Sequence, residues 1–337
     1  MRLLVVTQEI DSESSTLGFF HEWLCALAPK FESIEAICLK EGKHSLPANV
    51  SVHSLGKERG SRWALVYAVR FKFIAWKLRH EYDAVFVHMN QEYILVAGLL
   101  WKILGKPVYL WRNHYAGSWL TDLAAFFCTK VFCTSKHSYT AKYRKTVLMP
   151  VGVDLSRFSG NTFTERISHS ILFLGRISPS KRPDMFIEAL GLLAKEGISF
   201  SASVVGSPLP VDAQYHRTLV ERVKELELAS VVTFLPGVPH TETADIYRRH
   251  DIFVNCSRSG MFDKTLFEAA ACGVDVLAAS DDWRTLAGSN QWFKLSANEL
   301  ADALMSHLGS ASHTTLVELA RAQSLDTLVS RLVKEIT

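Results

Sequence analysis

Short apolar runs alternate with longer amphipathic stretches along almost the whole chain. In the first half, β-branched and other apolar runs predict strands at residues 3–6, 34–39, 50–54, 84–88, 108–111, 130–134 and 146–149. Helical periodicity separates most of them, at residues 18–30, 62–80, 93–104 and 118–128. Because strands that alternate with helices form parallel sheets covered on both faces, this half is predicted to be a doubly wound α/β domain.

The same pattern restarts after residues 150–154. Strands are predicted at residues 170–174, 201–205, 231–234, 252–255 and 276–278, and helices at 184–196, 215–226, 242–249, 264–272 and, as one or two helices, 314–335. We therefore expect two tandem Rossmann-like domains, 1–152 and 153–337, and leave open whether the last helix packs back on the first domain. Ligands bind outside the carboxyl ends of such strands, which predicts a site in a cleft between the domains.

Composition describes a folded and only mildly basic protein. The 337 residues are 48% hydrophobic and carry a net charge of +3, which does not argue for nucleic acid as a partner. The six cysteines form no Cys-x-x-Cys pair, so we expect reduced core residues of a cytoplasmic protein, without a zinc site or a disulfide framework. The first residues read as a strand and not as a signal peptide, and the apolar run 94–104 is about half of the ~20 residues that cross a bilayer.

A glycine and two cations lie in the loop that follows the predicted strand 170–174. Gly175 can adopt backbone angles closed to other residues and leaves no Cβ in the way of a ligand. Arg176 offers a forked donor and Lys181 a point charge, two complementary ways to neutralise phosphate oxygens. The loop therefore predicts a diphosphate site, with an ordinary βα turn that carries surface charges as the alternative.

A second polar segment joins the predicted strand 252–255 to the helix 264–272. Asp263 is predicted to be the N-cap of that helix, whose free amides would form an anion site. Glu268 is a carboxylate among alanines on a helix that is otherwise apolar except for Lys264. Because a buried carboxylate needs a partner, we expect Glu268 to meet hydroxyls or a cation in the cleft. The alternative is a local pair with Lys264.

Together these two segments resemble the retaining glycosyltransferases of family 4, which have the two-domain GT-B fold. In that family a strand-Gly-Arg-x-x-x-x-Lys loop holds the donor diphosphate, and a Glu-x7-Glu motif handles the nucleotide sugar. The resemblance implies that Gly175, Arg176 and Lys181 bind the diphosphate. It implies that Glu268, which matches the second glutamate, binds the ribose hydroxyls.

The resemblance extends over most of the second half of the chain. Gly206 lies in a segment similar to the family's second glycine turn, and Val238 in a segment similar to its base-side loop. In the first half the likeness is mostly topological, apart from residues 150–154, which are similar to the family's hinge between the domains.

The chain departs from the family pattern at the first glutamate of the motif. Gly260 stands in its place, in a loop that reads Ser-Gly-x-x-Asp-Lys. We expect the backbone amides of Gly260, Met261 and Phe262 to face the donor sugar and phosphate, and the side chain of Asp263 or Lys264 to supply the missing contact. Asp275 also replaces the proline that is usual after Gly-Val.

The first domain is expected to supply the acceptor side of the cleft. His114 and Asn113 follow the predicted strand 108–111, and the resemblance implies that His114 contacts the donor sugar. The alternative is a structural hydrogen bond of that histidine. Gly18 opens the first helix where family members have a glycine-rich loop, and His21 just beyond it faces either the acceptor or solvent.

Absence of an Asp-x-Asp tripeptide favours a reaction without a metal, in which Arg176, Lys181 and a helix terminus stabilise the leaving diphosphate. The expected function is a retaining sugar transfer from a nucleotide-diphosphate sugar to a glycan or lipid-linked acceptor, in cell-surface polysaccharide or glycolipid assembly. No cofactor is expected besides this co-substrate. The alternatives are a sugar-nucleotide epimerase of the same fold and a catalytically silent nucleotide-sugar-binding protein.

Basic and aromatic residues mix on one side of the predicted helix between Arg62 and Arg79. A stripe that includes Trp63 and Phe71 is expected to pack on the sheet, whereas Phe73 and Trp76 are interleaved with the cations on the other side. Such a face is typical of a helix that rests on an anionic membrane surface, here the inner face of the plasma membrane. The alternative is burial of the aromatics against a neighbouring helix.

Overall fold

The computed structural model describes residues 1–60, 63–159, 165–260, 262–308 and 314–337. The chain forms two compact units, Met1–Gly152 with Leu325–Thr337, and Val153–Ser324. The boundary at Gly152 lies where the repeat of the pattern predicts it. For the last helix, which the sequence leaves open, the structure gives the answer: Leu325–Thr337 belongs to the first unit.

The first unit is a parallel seven-stranded sheet with the order β3-β2-β1-β4-β5-β6-β7. Its strands are β1 (Leu3–Ile10), β2 (Ile34–Glu41), β3 (Val50–Ser54), β4 (Ala84–His88), β5 (Val108–Trp111), β6 (Lys130–Cys133) and β7 (Thr146–Leu148). The helices in its first part are α1 (Gly18–Leu27), α2 (Ala64–Lys77), α3 (Glu92–Ile103) and α4 (Trp119–Phe127).

Alternating residues of the central strands fill two separate cores. On β4, Phe86 packs with α1 and the C-terminal helix on one face, and Val85 and Val87 pack with α2, α3 and α4 on the other. Both faces of a central parallel strand are covered, which is why these strands are almost continuously apolar in sequence.

The second unit is a parallel five-stranded sheet with the order β10-β9-β8-β11-β12. Its strands are β8 (Ser170–Leu174), β9 (Ser201–Val205), β10 (Val232–Leu235), β11 (Ile252–Asn255) and β12 (Asp275–Ala278). Its helices are α5 (Leu155–Phe158), α6 (Pro183–Lys195), α7 (Ala213–Glu225), α8 (Thr243–Arg248), α9 (Lys264–Ala271), α10 (Asp281–Ala287), α11 (Ala297–His307) and α12 (Thr314–Ala322), and the chain ends in α13 (Leu325–Ile336) of the first unit. Two doubly wound parallel domains, the predicted fold class, are confirmed.

Helix α2 differs from its prediction in one respect. Phe71 is buried as expected, but Trp63 is 85% exposed and does not pack on the sheet. Phe73 and Trp76 are exposed, which rules out their burial against a neighbouring helix. Arg62 lies outside the described residues.

Two further properties of the described residues bear on the sequence-based expectations. All six cysteines are free thiols, and burial raises the pKa of Cys38 and Cys128 to about 12. Within the described ranges, no helix is long and apolar enough to cross a membrane.

Candidate functional site

The candidate site lies in the second unit, where the order of the sheet reverses. Strands β8 and β11 are neighbours in the sheet, yet β9 and β12 lie on their opposite sides. Ligands bind at such a switch point, beyond the carboxyl ends of the two strands. The loops that follow β8 and β11 carry Arg176, Lys181 and Ser257.

The turn after β8 is held against the turn after β9. The amide of Gly175 donates to the carbonyl of Val205 at 3.0 Å, and the amide of Ile177 donates to that of Ser207 at 3.3 Å. A Cβ on Gly206 would lie 1.9 Å from the carbonyl oxygen of Gly175, whereas a Cβ on Gly175 would meet no atom within 4 Å. Gly206 is therefore needed for close packing of the two turns, and the space beside Gly175 is open.

The two cations of this loop are placed differently. Arg176 is exposed and makes no hydrogen bond or ion pair with the part of the chain that the structure describes. Lys181 donates from Nζ to Asp263 Oδ2 at 2.6 Å and to Ser257 Oγ at 3.3 Å. An ammonium has three donors, so Lys181 is held in place with one donor left for a ligand.

Asp263 is the centre of a polar network that sequence reasoning missed. Its Oδ2 atom accepts hydrogen bonds from Lys181, from Ser257 Oγ at 2.7 Å and from Asn255 Nδ2 at 3.0 Å. Burial raises the pKa of this carboxyl, but the charge of Lys181 and the three donors outweigh burial, so the net pKa is lowered. Asp263 is therefore ionised at neutral pH.

One expectation for Asp263 needs correction. It occupies the N-cap position of α9 as predicted, but its side chain caps no helix amide. Its Oδ2 atom is bound to Lys181, to Ser257 in the loop after β11 and to Asn255 at the end of β11, and the expected contact of its side chain with the donor stays a prediction. Asp263 binds the lysine in preference to a helix amide because a charge-assisted hydrogen bond is about twice as strong as a hydrogen bond to a neutral amide.

Glu268 is buried, with 3% of its surface exposed, and lies in the second turn of α9. It accepts from His240 Nε2 at 2.8 Å and from the Tyr247 hydroxyl at 3.4 Å. Burial raises the pKa of the carboxyl, but the His240 ring, the Lys264 ammonium and the Tyr247 hydroxyl stabilise the anion by more, so the net pKa is lowered. The carboxylate uses two of its roughly four acceptor positions, which leaves capacity for hydroxyl groups.

His240 was missed by sequence reasoning, although it lies two residues after Val238. Arg157 Nη1 approaches its Nδ1 at 3.3 Å, and because a guanidinium can only donate, Nδ1 accepts and the ring proton lies on Nε2 towards Glu268. The only signal for His240 in the sequence was its position after a predicted strand. Its partner lies far away in sequence and could not be identified from spacing.

The loop in place of the first glutamate is only partly as expected. The amide of Gly260 donates to Asp282 Oδ2 at 3.3 Å, so that amide is engaged inside the protein and the expected sugar contact is corrected. Phe262 is buried with its ring on Phe267, at 5.0 Å between centroids. Met261 lies outside the described residues.

The remaining donor-side residues are near this network in the fold. Lys264 is half-buried at the start of α9, and its charge helps to lower the pKa of Glu268. Val238 is half-buried in the segment between β10 and His240. Their expected ligand contacts stay predictions.

In the first unit, His114 and Asn113 follow β5. The amide of Ala116 donates to His114 Nδ1 at 2.9 Å, and the ring stacks on Tyr115 at 4.5 Å between centroids. Asn113 Oδ1 accepts from Ser138 Oγ at 2.9 Å, which gives its side chain a structural contact.

Gly18 and His21 lie on α1. Gly18 is buried at the first position of the helix. His21 Nε2 accepts from the amide of Ser45 at 3.2 Å and therefore fastens the segment after β2 to α1. The histidine thus has a structural contact, and its expected place on the acceptor side stays a prediction.

Comparison with known proteins finds a family model that matches the part of the chain that carries this site. Residues 165–282 match the model of the family described as Glycosyl transferases group 1. A D-inositol 3-phosphate glycosyltransferase of Geodermatophilus obscurus is 33% identical over 154 residues, an alignment that covers 42% of this chain and 34% of that protein. The chain thus aligns with about a third of the length of such relatives.

Solved structures match the whole fold at low sequence identity. Anabaena Alr3699/HepE, in complex with UDP and glucose, superposes with a TM-score of 0.77 over 99% of this chain and 98% of that one, at 18% identity. Sucrose-phosphate synthase of Thermosynechococcus elongatus superposes with a TM-score of 0.80 over 99% and 98%, at 16% identity. The chain has the GT-B fold, and its residues 165–282 match the glycosyl transferases group 1 model, which agrees with the resemblance seen in the sequence.

Proposed function

We propose that this protein is a retaining, metal-independent glycosyltransferase that moves a sugar from a nucleotide-diphosphate sugar to a glycan or lipid-linked acceptor. The observation that carries the proposal is the pair of cations beyond β8. Arg176 is exposed without a partner among the described residues, and Lys181 is fixed by Asp263 and Ser257. A forked donor and a fixed ammonium at a switch point are suited to the two phosphates of such a donor.

The proposed chemistry follows from these charges. The bond between the sugar C1 and the departing phosphate oxygen breaks as the acceptor oxygen bonds to C1 from the same face. The departing phosphate takes the proton of the acceptor hydroxyl, and Arg176 and Lys181 stabilise its negative charge. Glu268 would bind the ribose hydroxyls and His114 the sugar, as the family resemblance implies.

Several details of the proposal rest on relatives and on the sequence. A nucleotide-sugar donor is supported by the fold neighbour solved with UDP and glucose. Independence from metal is supported by positive side chains at the diphosphate position. A cytoplasmic protein at the inner face of the plasma membrane, acting in surface polysaccharide or glycolipid assembly, is supported by the exposed aromatics of α2.

Binding and turnover with a panel of UDP-, GDP- and CMP-linked sugars test this function. We expect binding of a diphosphate-linked donor, the weakest binding for the CMP-linked sugars, and release of nucleoside diphosphate that depends on an acceptor. Release of the same nucleotide without any acceptor, together with an altered sugar, would instead indicate an epimerase. Binding without turnover across glycan and lipid-linked acceptors would indicate a silent nucleotide-sugar-binding protein.

A further inference from the structure

Helices α2, α3 and α4 lie side by side on one face of the first sheet. Their inner residues share one core, in which the ring of Phe71 lies 6.0 Å from that of Trp101. Helices α3 and α4 approach closely at Gly98, where a Cβ would lie 2.9 Å from Cγ of Phe127. The outer sides of the three helices therefore form one continuous surface, here called the three-helix face.

The three-helix face exposes large apolar side chains on every helix. Besides the aromatics of α2, it carries Ile103 on α3, which is 75% exposed, and Trp119 on α4, which is 70% exposed. Leu99 and Phe126 are also exposed. Exposed apolar patches that span several elements are rare on monomeric soluble proteins and mark an interaction surface.

Cations are interleaved with these apolar residues. Lys72 and Lys77 are exposed on α2, and Lys102 Nζ lies 4.6 Å from the ring centroid of Phe126, so it links α3 to α4. Helix α2 has no acidic residue.

Acidic residues on the other two helices do not cancel this charge. Asp122 on α4 is bound by Lys142 at 2.8 Å. Glu92 begins α3, about 16 Å along the helix axis from Ile103. The exposed part of the three-helix face is therefore positive and apolar.

We propose that the three-helix face is a docking surface for an anionic lipid bilayer. Apolar and aromatic side chains insert at the level of the headgroups, and lysines beside them bind lipid phosphates. Charge complementarity favours a lipid surface over a second copy of the chain, because two copies of a positive face repel each other. Sequence reasoning predicted only α2; the added claim is that α3 and α4 also contribute, and it does not depend on the proposed sugar transfer.

Vesicle co-sedimentation tests this surface. The protein is mixed at low salt with vesicles of phosphatidylcholine and phosphatidylglycerol, or with phosphatidylcholine alone. We expect binding to the anionic vesicles, much weaker binding to the neutral ones, and a loss of about tenfold or more in the variant Trp119→Ser, Phe126→Ser. A smaller loss is expected for Lys102→Gln.

The matched control replaces exposed apolar residues of the second unit, Val211→Ser and Ile167→Ser, which are exposed to a similar degree. We expect wild-type vesicle binding in this control and unchanged thermal unfolding in all variants, because every changed side chain is at the surface. Absent binding to anionic vesicles overturns the proposal. So does binding that the α4 variant leaves unchanged, or a three-helix face that instead forms a dimer disrupted by that variant.

Discussion

The carboxylate of Asp263 holds the side chain of Lys181 in place. The side chains of Lys181 and Asp263 are 20% and 19% exposed, so water screens their charges only in part. Asn255 at the end of β11 and Ser257 in the loop that follows it also donate to this carboxylate. The pair thus joins the segments after two different strands, and it orders the cation before any ligand binds.

A double-mutant cycle on this pair tests the network. Lys181→Ala and Asp263→Asn are each expected to lower the free energy of unfolding, and the double variant is expected to lose less than the sum. A coupling energy of about 1–3 kcal/mol is expected from denaturant unfolding. Strictly additive losses would mean that the two side chains do not stabilise each other.

Asp275 illustrates a residue whose role only the fold explains. It stands where the resembled family usually has proline, and in the structure it binds Nδ1 of His307 on α11. The hydrogen bond to Asp275, together with its charge and a contact to the carbonyl of Asn290, raises the pKa of His307 despite partial burial. The sequence separation of the pair hides it from motif reasoning.

The raised pKa of His307 makes part of the stability depend on pH. Since the folded-state pKa lies above the unfolded value of about 6.5, the contribution is complete below about pH 6.5 and is lost as pH rises through the folded-state pKa. The difference in Tm between the wild type and His307→Gln, measured by scanning calorimetry, is expected to be largest at acidic pH and to shrink at alkaline pH. A difference that stays constant across this range would contradict the account.

At the scale of elements, the apolar pattern of the sequence was enough to predict the strands but not several of the helices. Strands β3, β4, β5, β8, β9 and β11 have the predicted bounds, because their apolar runs are short and end at a polar residue or a glycine. Helices α5, α10 and α11 were not predicted. Helix α5 has a single turn and α10 has seven residues, which is too short for a clear helical pattern. Helix α11 does have an apolar side, at Leu300, Ala301 and Leu304, which sequence reasoning missed.

The candidate site was predictable to the level of its loops. Gly175, Arg176 and Lys181 lie at the end of the predicted strand because the spacing of a βα loop is local in sequence. The partners of Asp263 and Glu268 were not predictable, since Lys181 and His240 come from other βα units and are brought close only by the order of the strands.

Close packing of two βα turns predicts an unusual sensitivity at Gly206. Gly206→Ala would place a Cβ against the backbone oxygen of Gly175, which cannot move without displacing β8. We expect a loss of about 2–4 kcal/mol in denaturant unfolding. The control is Gly288→Ala in the same unit, which also has a positive φ but meets no atom within 4 Å and is expected to cost only about 1–2 kcal/mol. Equal losses would contradict the packing explanation.

At the scale of the whole molecule, the end of the chain returns to the first unit. Leu328, Leu332 and Ile336 of α13 are buried in the core beside α1. The Tyr109 hydroxyl donates to the carbonyl of Ile336 at 3.1 Å, and Lys130 forms an ion pair with Glu335 at 2.9 Å. The amphipathic pattern of α13 predicted a packed helix, but the pattern carries no information about which unit it packs on.

This arrangement predicts that a change near the C-terminus destabilises the first unit. Leu332→Ala is expected to cost about 2–5 kcal/mol, because its side chain is fully buried. Hydrogen exchange is expected to show lost protection of the amides in β1 and unchanged protection of the amides in α6 of the second unit. The exposed neighbour Arg331→Ala is expected to change stability by less than about 0.5 kcal/mol. Lost protection in α6 alone would contradict the assignment of α13.

The central claim is that Arg176 and Lys181 bind the diphosphate of a sugar donor. Its most direct test is titration calorimetry with the nucleoside diphosphate that binds best, on Arg176→Ala, Lys181→Ala and the exposed control Lys195→Ala, with turnover measured on the same samples. We expect affinity to fall about tenfold or more in the first two variants, most of their turnover to be lost, and the control to match the wild type. Wild-type affinity and full turnover in either site variant would contradict the account.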